Sequence, residues 1–450
     1  MAAGHGTRMH SRLPKVLHPV CGRPMVEWVV EAARRAGATR VVCVTRPGEG
    51  VAGRLPEGIE VAEQVEGEGT GAAVLAARGH LDPGATVLVL SGDVPLISAR
   101  LLGELADRHE REGAAATLLT TAELDPAGYG RIVRAADGTV ERIVETKRTA
   151  GVLPEELALR EINLGTYAFA ADELLSALDA VAETAGERYL TGVLPVLRER
   201  GRRILAERTT DALSGMGVNT RIGLMEVERH ARRGIIEVHA LNGVTFTSPD
   251  TVEVDAGVAI GPDTTIGPGV VLRGATRIGR DCEVGPHATL VSAVLEDEAR
   301  VVHSHLVECE VGRGASVGPF AYLRPDAHLE DGAKVGTFVE VKNSVLGAGA
   351  KVPHLSYVGD ADIGPGANVA AGNVTANYDG RAKHRTVIGA GARTGVNTSL
   401  VAPVRVGEKA YTGAGSVIAS DVPDGALGIS RPEQRNVEGY AERVEERPRG

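Results

Sequence analysis

The sequence predicts two folds in series: an α/β, Rossmann-like domain over residues 1–220 and a parallel β-helix of six-residue repeats over 241–431. Three observations carry this reading. The chain has 450 residues, enough for two domains or more. Up to about residue 220, short aliphatic runs alternate with amphipathic stretches, the pattern of βαβ units around a largely parallel sheet. Beyond about residue 240, aliphatic residues recur at every sixth position, which suits neither a helix nor an isolated strand.

In the first half, VEWVVEAARRAG (26–37) has helical spacing and stops at Gly37, and RVVCVT (40–45) reads as a buried strand. TVLVLSGDVPLI (86–97) is the strongest strand, ending in a polar loop that opens with Ser91, Gly92 and Asp93. ARLLGELADRHEREG (99–113) follows as a helix and AAATLLTT (114–121) as a strand. Ligands of such sheets sit at the carboxyl ends of the strands, so loops such as 3–15 and 91–95 are the expected site.

Residues 221–240 read as a linking helix, with apolar residues at helical intervals and dense charge between them. The hexads then begin: Ile260, Ile266, Leu272, Ile278, Val284 and Leu290, and again Val311, Val317, Leu323, Leu329, Val335 and Val341. Later phases carry Leu346, Val352, Val358, Ile363, Val369, Ile388, Leu400 and Val406, with Thr394 and Thr412 in step. One inward aliphatic residue per short strand, often followed by Gly at the corner, describes a triangular solenoid. NVTANYDGRAKHRTV (373–387) breaks the count and is expected to leave the prism as a loop. Residues 432–450 form a charged tail.

Composition narrows the function. With 49 Lys+Arg against 59 Asp+Glu the formal charge is −10, which opposes a nucleic-acid role because a phosphate backbone needs a concentrated basic face. No apolar run reaches the roughly 18–20 residues of a membrane span, and the N-terminus lacks the pattern of a signal peptide. A cytoplasmic protein with no membrane insertion is expected. Aromatic residues are few (Phe 4, Tyr 8, Trp 1) and Gly is abundant at 58, so small aliphatic side chains must fill the core. Cys21, Cys43, Cys282 and Cys309 have neither disulfide density nor metal spacing and read as reduced, structural thiols.

Two clusters carry chemistry. In MAAGHGTRM (1–9), Gly4 and Gly6 let backbone N–H groups approach phosphates, while Arg8 and Lys15 can neutralise charge on a transferring phosphoryl group. A Gly-x-Gly turn alone is usually only a strand–helix connection; the added cations at these offsets raise its weight. In the solenoid, Arg324, Glu340, Lys342, His354, Tyr357 and Asn368 recur at about one coil each, which would set many of them on neighbouring rungs. A neutral His354 suits a general base; Glu340 would orient the ring, and Arg324 and Lys342 present cationic donors.

Gly4-x-Gly6-Thr7-Arg8-Met9 followed by Pro14-Lys15 resembles the phosphate loop of the sugar-phosphate nucleotidyltransferases. Joined to a hexapeptide helix bearing PHLSYVGD and NYDG, the chain up to about residue 440 resembles the bacterial family of bifunctional glucosamine-1-phosphate acetyltransferases and N-acetylglucosamine-1-phosphate uridylyltransferases. The resemblance implies a left-handed β-helix, a homotrimer assembled through it, and small-molecule substrates only: glucosamine 1-phosphate, acetyl-CoA and UTP. It implies Mg²⁺ held by Asp93 and Asn219. Gln64, Gly69 and Thr70 match the uracil-reading segment, and Gly130, Glu145 and Asn163 match sugar contacts, so that Lys15, these residues and Asn219 would form the UTP and product site. In the solenoid, Arg324, Lys342, Tyr357 and Asn368 match the glucosamine 1-phosphate site and His354 the catalytic base. Ala371, Asn377, Tyr378, Val396, Ala414 and Arg431 match acetyl-CoA contacts.

The chain departs from the family in three places. Val396 stands where the family has a Ser near the transferred acetyl group, with Asn397 beside it, and Gly192 stands where Asp is frequent. In doubly wound sheets the phosphate loop follows a first, central strand; Met1 falls where that strand should end, and a start several residues upstream is the expectation. Nucleotidyl transfer alone, with the solenoid as an oligomerising module, is the competing reading; it leaves the Arg324/Lys342/His354/NYDG set without a purpose.

Overall fold

The structure, a computed structural model, describes residues 1–4, 6–146, 152–183 and 186–445. The chain forms two compact units, Met1–Gly234 and Ile235–Gly450.

In the first unit the helix Met25–Arg35 buries Met25, Val26, Val29, Val30 and Ala33, residues spaced to share one face. It ends where Gly37 turns left-handed (φ 94°). Ala99–Arg111 starts on Ser98, whose hydroxyl accepts from Leu101 N–H at 3.2 Å, the usual way to satisfy a first-turn donor. Strands Val42–Thr45, Thr86–Val89 and Ala116–Thr121 lie in the three runs where the pattern expects them.

The expectation of a largely parallel sheet needs correction. Ile162–Ala170 runs antiparallel to Thr86–Val89, Ala116–Thr121 and Arg131–Arg134, and Arg131–Arg134 is antiparallel to Val140–Val144. Ile204–Arg208 on Ala116–Thr121 and Val42–Thr45 on Glu60–Glu63 are the parallel pairings. Parallel neighbours need a long crossover, usually helical. Between residues 121 and 162 the described helix is only Pro154–Leu157, too short for one, so the chain returns antiparallel.

The sheet is also interrupted. Val42–Thr45 and Thr86–Val89 belong to different sheets, and a cavity of about 450 Å³ lined by Val26, Val30, Val44, Val87 and Val89 lies there. Met1 and Ala2 bridge one end. The Met1 amine donates to Leu90 O (2.8 Å), Gly92 N–H to Met1 O (2.9 Å) and Ala2 N–H to Val44 O (2.7 Å). The place expected of a first, central strand is thus held at one end by two residues.

The second unit is a left-handed parallel β-helix with three parallel sheets as its walls. Val254, Leu272, Leu290, Leu306, Leu323, Val341 and Val358 stack in register along one wall, each buried. Five-residue steps, such as Leu290 to Leu295, separate the two runs of strict six. Corner glycines are required where coils touch: a Cβ on Gly261 would lie 2.7 Å from the Gly279 carbonyl. Thr394 and Thr412 are buried, and their hydroxyls accept from Ala370 N–H and Gly395 N–H at 2.9 Å each. All four cysteines are buried and in no disulfide, and burial pushes the Cys309 thiol up to about 12, which keeps it protonated and inert.

The predicted loop 373–387 is corrected to a shorter excursion. Val374–Ala376 and Thr386–Ile388 are rungs paired with the coil above. The chain leaves only between them, turning back through a Tyr378–Lys383 antiparallel bridge and a His384 N–H bond to Asn377 O at 2.8 Å.

Truncating one inward rung side chain leaves a void that neighbouring rungs, fixed by strand pairing, cannot close. Leu323→Ala should lower the unfolding free energy by about 2–5 kcal/mol, measured as a lower denaturation midpoint in guanidinium.

Candidate active sites

The first cluster is built by the chain's N-terminal loop folding back on itself. The loop carries two single 3₁₀ turns, Thr7–Met9 and Lys15–Leu17. Gly6 is left-handed (φ 57°), and a Cβ there would meet Lys15 Cβ at 2.7 Å, so only glycine lets the lysine stem cross the loop. Arg221 fastens the loop from outside, its Nε donating to Met9 O at 3.2 Å.

Four predicted residues then converge. Lys15 Nζ pairs with Asp93 Oδ2 and lies 3.4 Å from Asn219 Oδ1. Arg8 Nη2 donates to the same Asn219 oxygen at 2.8 Å, and Val218 N–H to Asp93 O at 2.8 Å fixes the Asn219 segment beside the Asp93 loop. One carboxylate and one amide oxygen thus face one ammonium, a donor set that suits a hard divalent ion keeping most of its waters. Among the described residues, no group of three or more His, Cys, Asp or Glu offers an alternative metal site.

The remaining predicted residues of this unit flank that cluster in two groups. Gln64 is buried, and its Nε2 donates to Gly67 O at 3.0 Å; it shapes the loop that carries Gly69. Gly71 N–H donates to Arg188 O (2.8 Å), and Thr70 Oγ1 accepts from Leu190 N–H (2.9 Å), so Gly69 and Thr70 rest on the 188–190 segment. In the second group Asn163 N–H donates to Gly130 O (2.9 Å) and Asn163 Nδ2 to Tyr167 Oη (2.6 Å). Glu145 accepts from Thr191 Oγ1 at 3.0 Å. Tyr129, next to Gly130, has its phenol pushed up chiefly by burial and partly by the Asp93 carboxylate, which ties this group electrically to the first cluster.

The second cluster sits on the solenoid. Register pairs Tyr322 with Glu340 and Leu323 with Val341. With Leu323 and Val341 inward, Arg324 and Lys342 point out on adjacent rungs, about 4.8 Å apart along the stack. Tyr357 follows Glu340 one rung on. His354 and Asn368 lie on a neighbouring wall, both exposed, on successive coils through the Lys351–Asn368 bridge. Glu340 is engaged elsewhere than expected: its carboxylate accepts from Arg324 Nη1 at 2.9 Å, a diagonal neighbour on the adjacent rung, two residues beyond Tyr322, which the register sets opposite it.

The residues expected to contact acetyl-CoA also stack. Asn397 N–H donates to Ala371 O and Gly415 N–H to Val396 O, each at 2.8 Å, so Ala371, Val396 and Ala414 climb one corner on consecutive coils. Arg431 caps it, Nη1 donating to Ala414 O at 3.0 Å. Val396 is 47% exposed there. Tyr378 is exposed, whereas Asn377 is buried with its amide turned inward to Asp360 and Tyr357.

Sequence reasoning missed Lys383 and Asp360. Lys383 sits on the excursion beside Lys342 and Arg324. Burial works against the Lys342 ammonium, but its neighbours Lys383 and the Asp360 carboxylate, which accepts from it, outweigh burial and hold its pKa above the usual lysine value. Lys383, facing Lys342 first and Arg324 less closely, is pushed below that value. The signal was available, since Lys383-His384 follows NYDG by two residues, but nothing in the spacing says that the excursion folds back over Lys342.

Comparison with known proteins bears on both units. Residues 1–200 match the MobA-like NTP transferase domain, and residues 257–292 the bacterial transferase hexapeptide (six repeats). The bifunctional protein GlmU of Brevibacillus brevis is 45% identical over 448 residues, covering 99% of this chain and 96% of the relative. The GlmU proteins of Caldanaerobacter subterraneus and Mycobacterium leprae are each 44% identical, over 98% of this chain and 96% and 92% of their own lengths.

A lowered Lys383 pKa has a measurable consequence. Below that pKa three cations face an anion; as pH rises through it towards the ordinary lysine value, one is lost. Inorganic phosphate titrated calorimetrically should bind up to roughly fivefold more weakly across that alkaline window, and Lys383→Met should flatten the dependence.

Proposed function

The chain belongs to the bifunctional GlmU family, and from that premise we infer how its two sites divide the work. It is a bifunctional transferase of UDP-N-acetylglucosamine synthesis. One activity acetylates glucosamine 1-phosphate with acetyl-CoA; the other joins N-acetylglucosamine 1-phosphate to UTP and releases pyrophosphate. The nucleotide sugar produced serves bacterial cell-wall synthesis.

For acetyl transfer, Arg324 and Lys342 bind the sugar phosphate, with Lys383 as a third cation, while Tyr357 and Asn368 contact the sugar. His354 takes a proton from the amine as its nitrogen attacks the thioester carbonyl, and the CoA sulfur leaves. Ala371, Asn377, Tyr378, Val396, Ala414 and Arg431 line the path of acetyl-CoA. The adjacent-rung placement of Arg324 and Lys342 is the observation that carries this half of the reading. With Val396 in place of a hydroxyl, no side-chain O–H is available at that position to hold the acetyl oxygen, so His354 and backbone groups bear the step.

For uridylyl transfer, the sugar phosphate attacks the α-phosphorus of UTP in line. Arg8, Lys15 and amides of the loop around Gly6 stabilise the charge that develops. Asp93 and Asn219 would hold Mg²⁺, which when bound supplies Lewis-acid stabilisation of the phosphate oxygens; Lys15 then turns from Asp93 to the phosphates. Gln64, Gly69 and Thr70 form the uracil end, and Gly130, Glu145 and Asn163 the sugar end.

The active form in this reading is a cytoplasmic homotrimer joined through the β-helix. Support comes from one corner of the solenoid, where Phe320 and Phe338 stack at 5.5 Å with 50% and 61% exposure and Leu355 follows on the next coil at 63%. A contiguous apolar ladder of that kind suits contact with a second copy. Four buried cysteines in no disulfide suit a reducing compartment, and no described helix is long and apolar enough to cross a membrane.

Thiol release and pyrophosphate release, assayed separately, test the division. His354→Ala should slow CoA release about 10²–10⁴-fold and leave pyrophosphate release intact. Arg8→Ala should do the reverse, and parallel loss of both activities in either folded variant would reject independent sites.

A further inference from the structure

Asp360 holds three parts of the acetyl-transfer site at once. It lies at the end of the Tyr357–Gly359 strand, 4% exposed, in a left-handed corner (φ 51°). Its carboxylate accepts from Lys342 Nζ at 3.2 and 3.3 Å, from Asn343 Nδ2 at 2.6 Å, and from Asn377 Nδ2. Its backbone is equally engaged: the N–H donates to Lys342 O (3.0 Å), and the carbonyl accepts from Thr386 N–H (3.1 Å).

Asn377 and Thr386 are the two ends of the excursion. A single residue therefore fastens the loop on its way out and on its way back, and the same carboxylate sets the direction of the Lys342 ammonium. A buried carboxylate is costly unless its oxygens are satisfied; here burial is outweighed by the Asn343, Asn377 and Lys342 contacts, which keep its pKa below the ordinary carboxylate value. A group needed only to neutralise Lys342 would have no reason to spend an oxygen on the loop amide as well.

We propose that Asp360 is a positioning residue that couples the two halves of the acetyl-transfer site, aligning Lys342 for the sugar phosphate and the Asn377–Arg385 excursion, with Tyr378 and Lys383, for acetyl-CoA. The proposal rests on the acetyl-transfer reading given above. Without the carboxylate, Lys342 loses its anchor and Asn377 its acceptor, so both substrates meet a less ordered site while His354, on another wall, keeps its place. The loss therefore falls on binding more than on turnover.

Steady-state kinetics on the full chain test this. Asp360→Asn keeps the shape but removes the charge and leaves a single oxygen to serve Lys342, Asn343 and Asn377. The KM for glucosamine 1-phosphate and the KM for acetyl-CoA should each rise roughly tenfold or more, with kcat within about threefold. Asp360→Glu, which keeps the charge and serves if the amide variant does not fold, is displaced by one methylene and should raise the same two constants. Wild-type KM values in either folded variant, or a loss confined to kcat, would overturn the proposal. A cooperative guanidinium unfolding transition of the solenoid like that of the unsubstituted protein reports that the variant is folded. Absence of CoA release from the unsubstituted protein would instead reject the acetyl-transfer reading, a result distinct from failure of the coupling.

Discussion

Each outward side chain of the solenoid site is placed by the inward one beside it. Strand residues alternate between the two faces, and an aliphatic residue turned into the narrow prism cannot be exchanged with its polar neighbour without emptying the core. Val341 inward therefore forces Glu340 and Lys342 outward, Leu323 does the same for Tyr322 and Arg324, and parallel pairing sets the two rungs in register. A one-residue slip would turn every side chain of the strand to the opposite face. The site's precision is inherited from packing, and its cations need no support of their own beyond Glu340 and Asp360.

This constraint is also why so much of the solenoid was legible. A period of six with aliphatic residues in phase has one structural solution, and once the walls are set, the order of Arg324, Lys342 and Tyr357 on successive rungs follows. The N-terminal unit is different. Its helices and strands answer to local pattern, as Gly37 and Ser98 show at helix ends. Strand direction depends on what connects the strands, and among the described residues no crossover helix precedes Ile162–Ala170. That Asn219 joins Arg8, Lys15 and Asp93 was legible only through resemblance, because more than two hundred residues separate it from the first of them.

What stayed hidden has a common cause. Lys383 and Asp360 belong to the excursion and its anchor, where the six-residue count stops and periodicity says nothing about where the chain returns. Glu340 was assigned to His354 by closeness in sequence, whereas lateral pairing between coils brings Arg324 nearer. Asn377 was expected to face ligand and instead turns inward, because a buried carboxylate beneath the loop needs donors more than the surface does. In each case a contact between coils decided a partner that spacing within a coil could not.

The central claim is that rung register creates a cation pair beside an imidazole able to deprotonate an amine. Crystals of the full chain soaked with glucosamine 1-phosphate test it most directly. The account requires the phosphate within hydrogen-bonding distance of Arg324 and Lys342 and the amine turned towards His354. A sugar phosphate bound elsewhere on the solenoid, or bound with its amine remote from every His354 in the assembly, would contradict it.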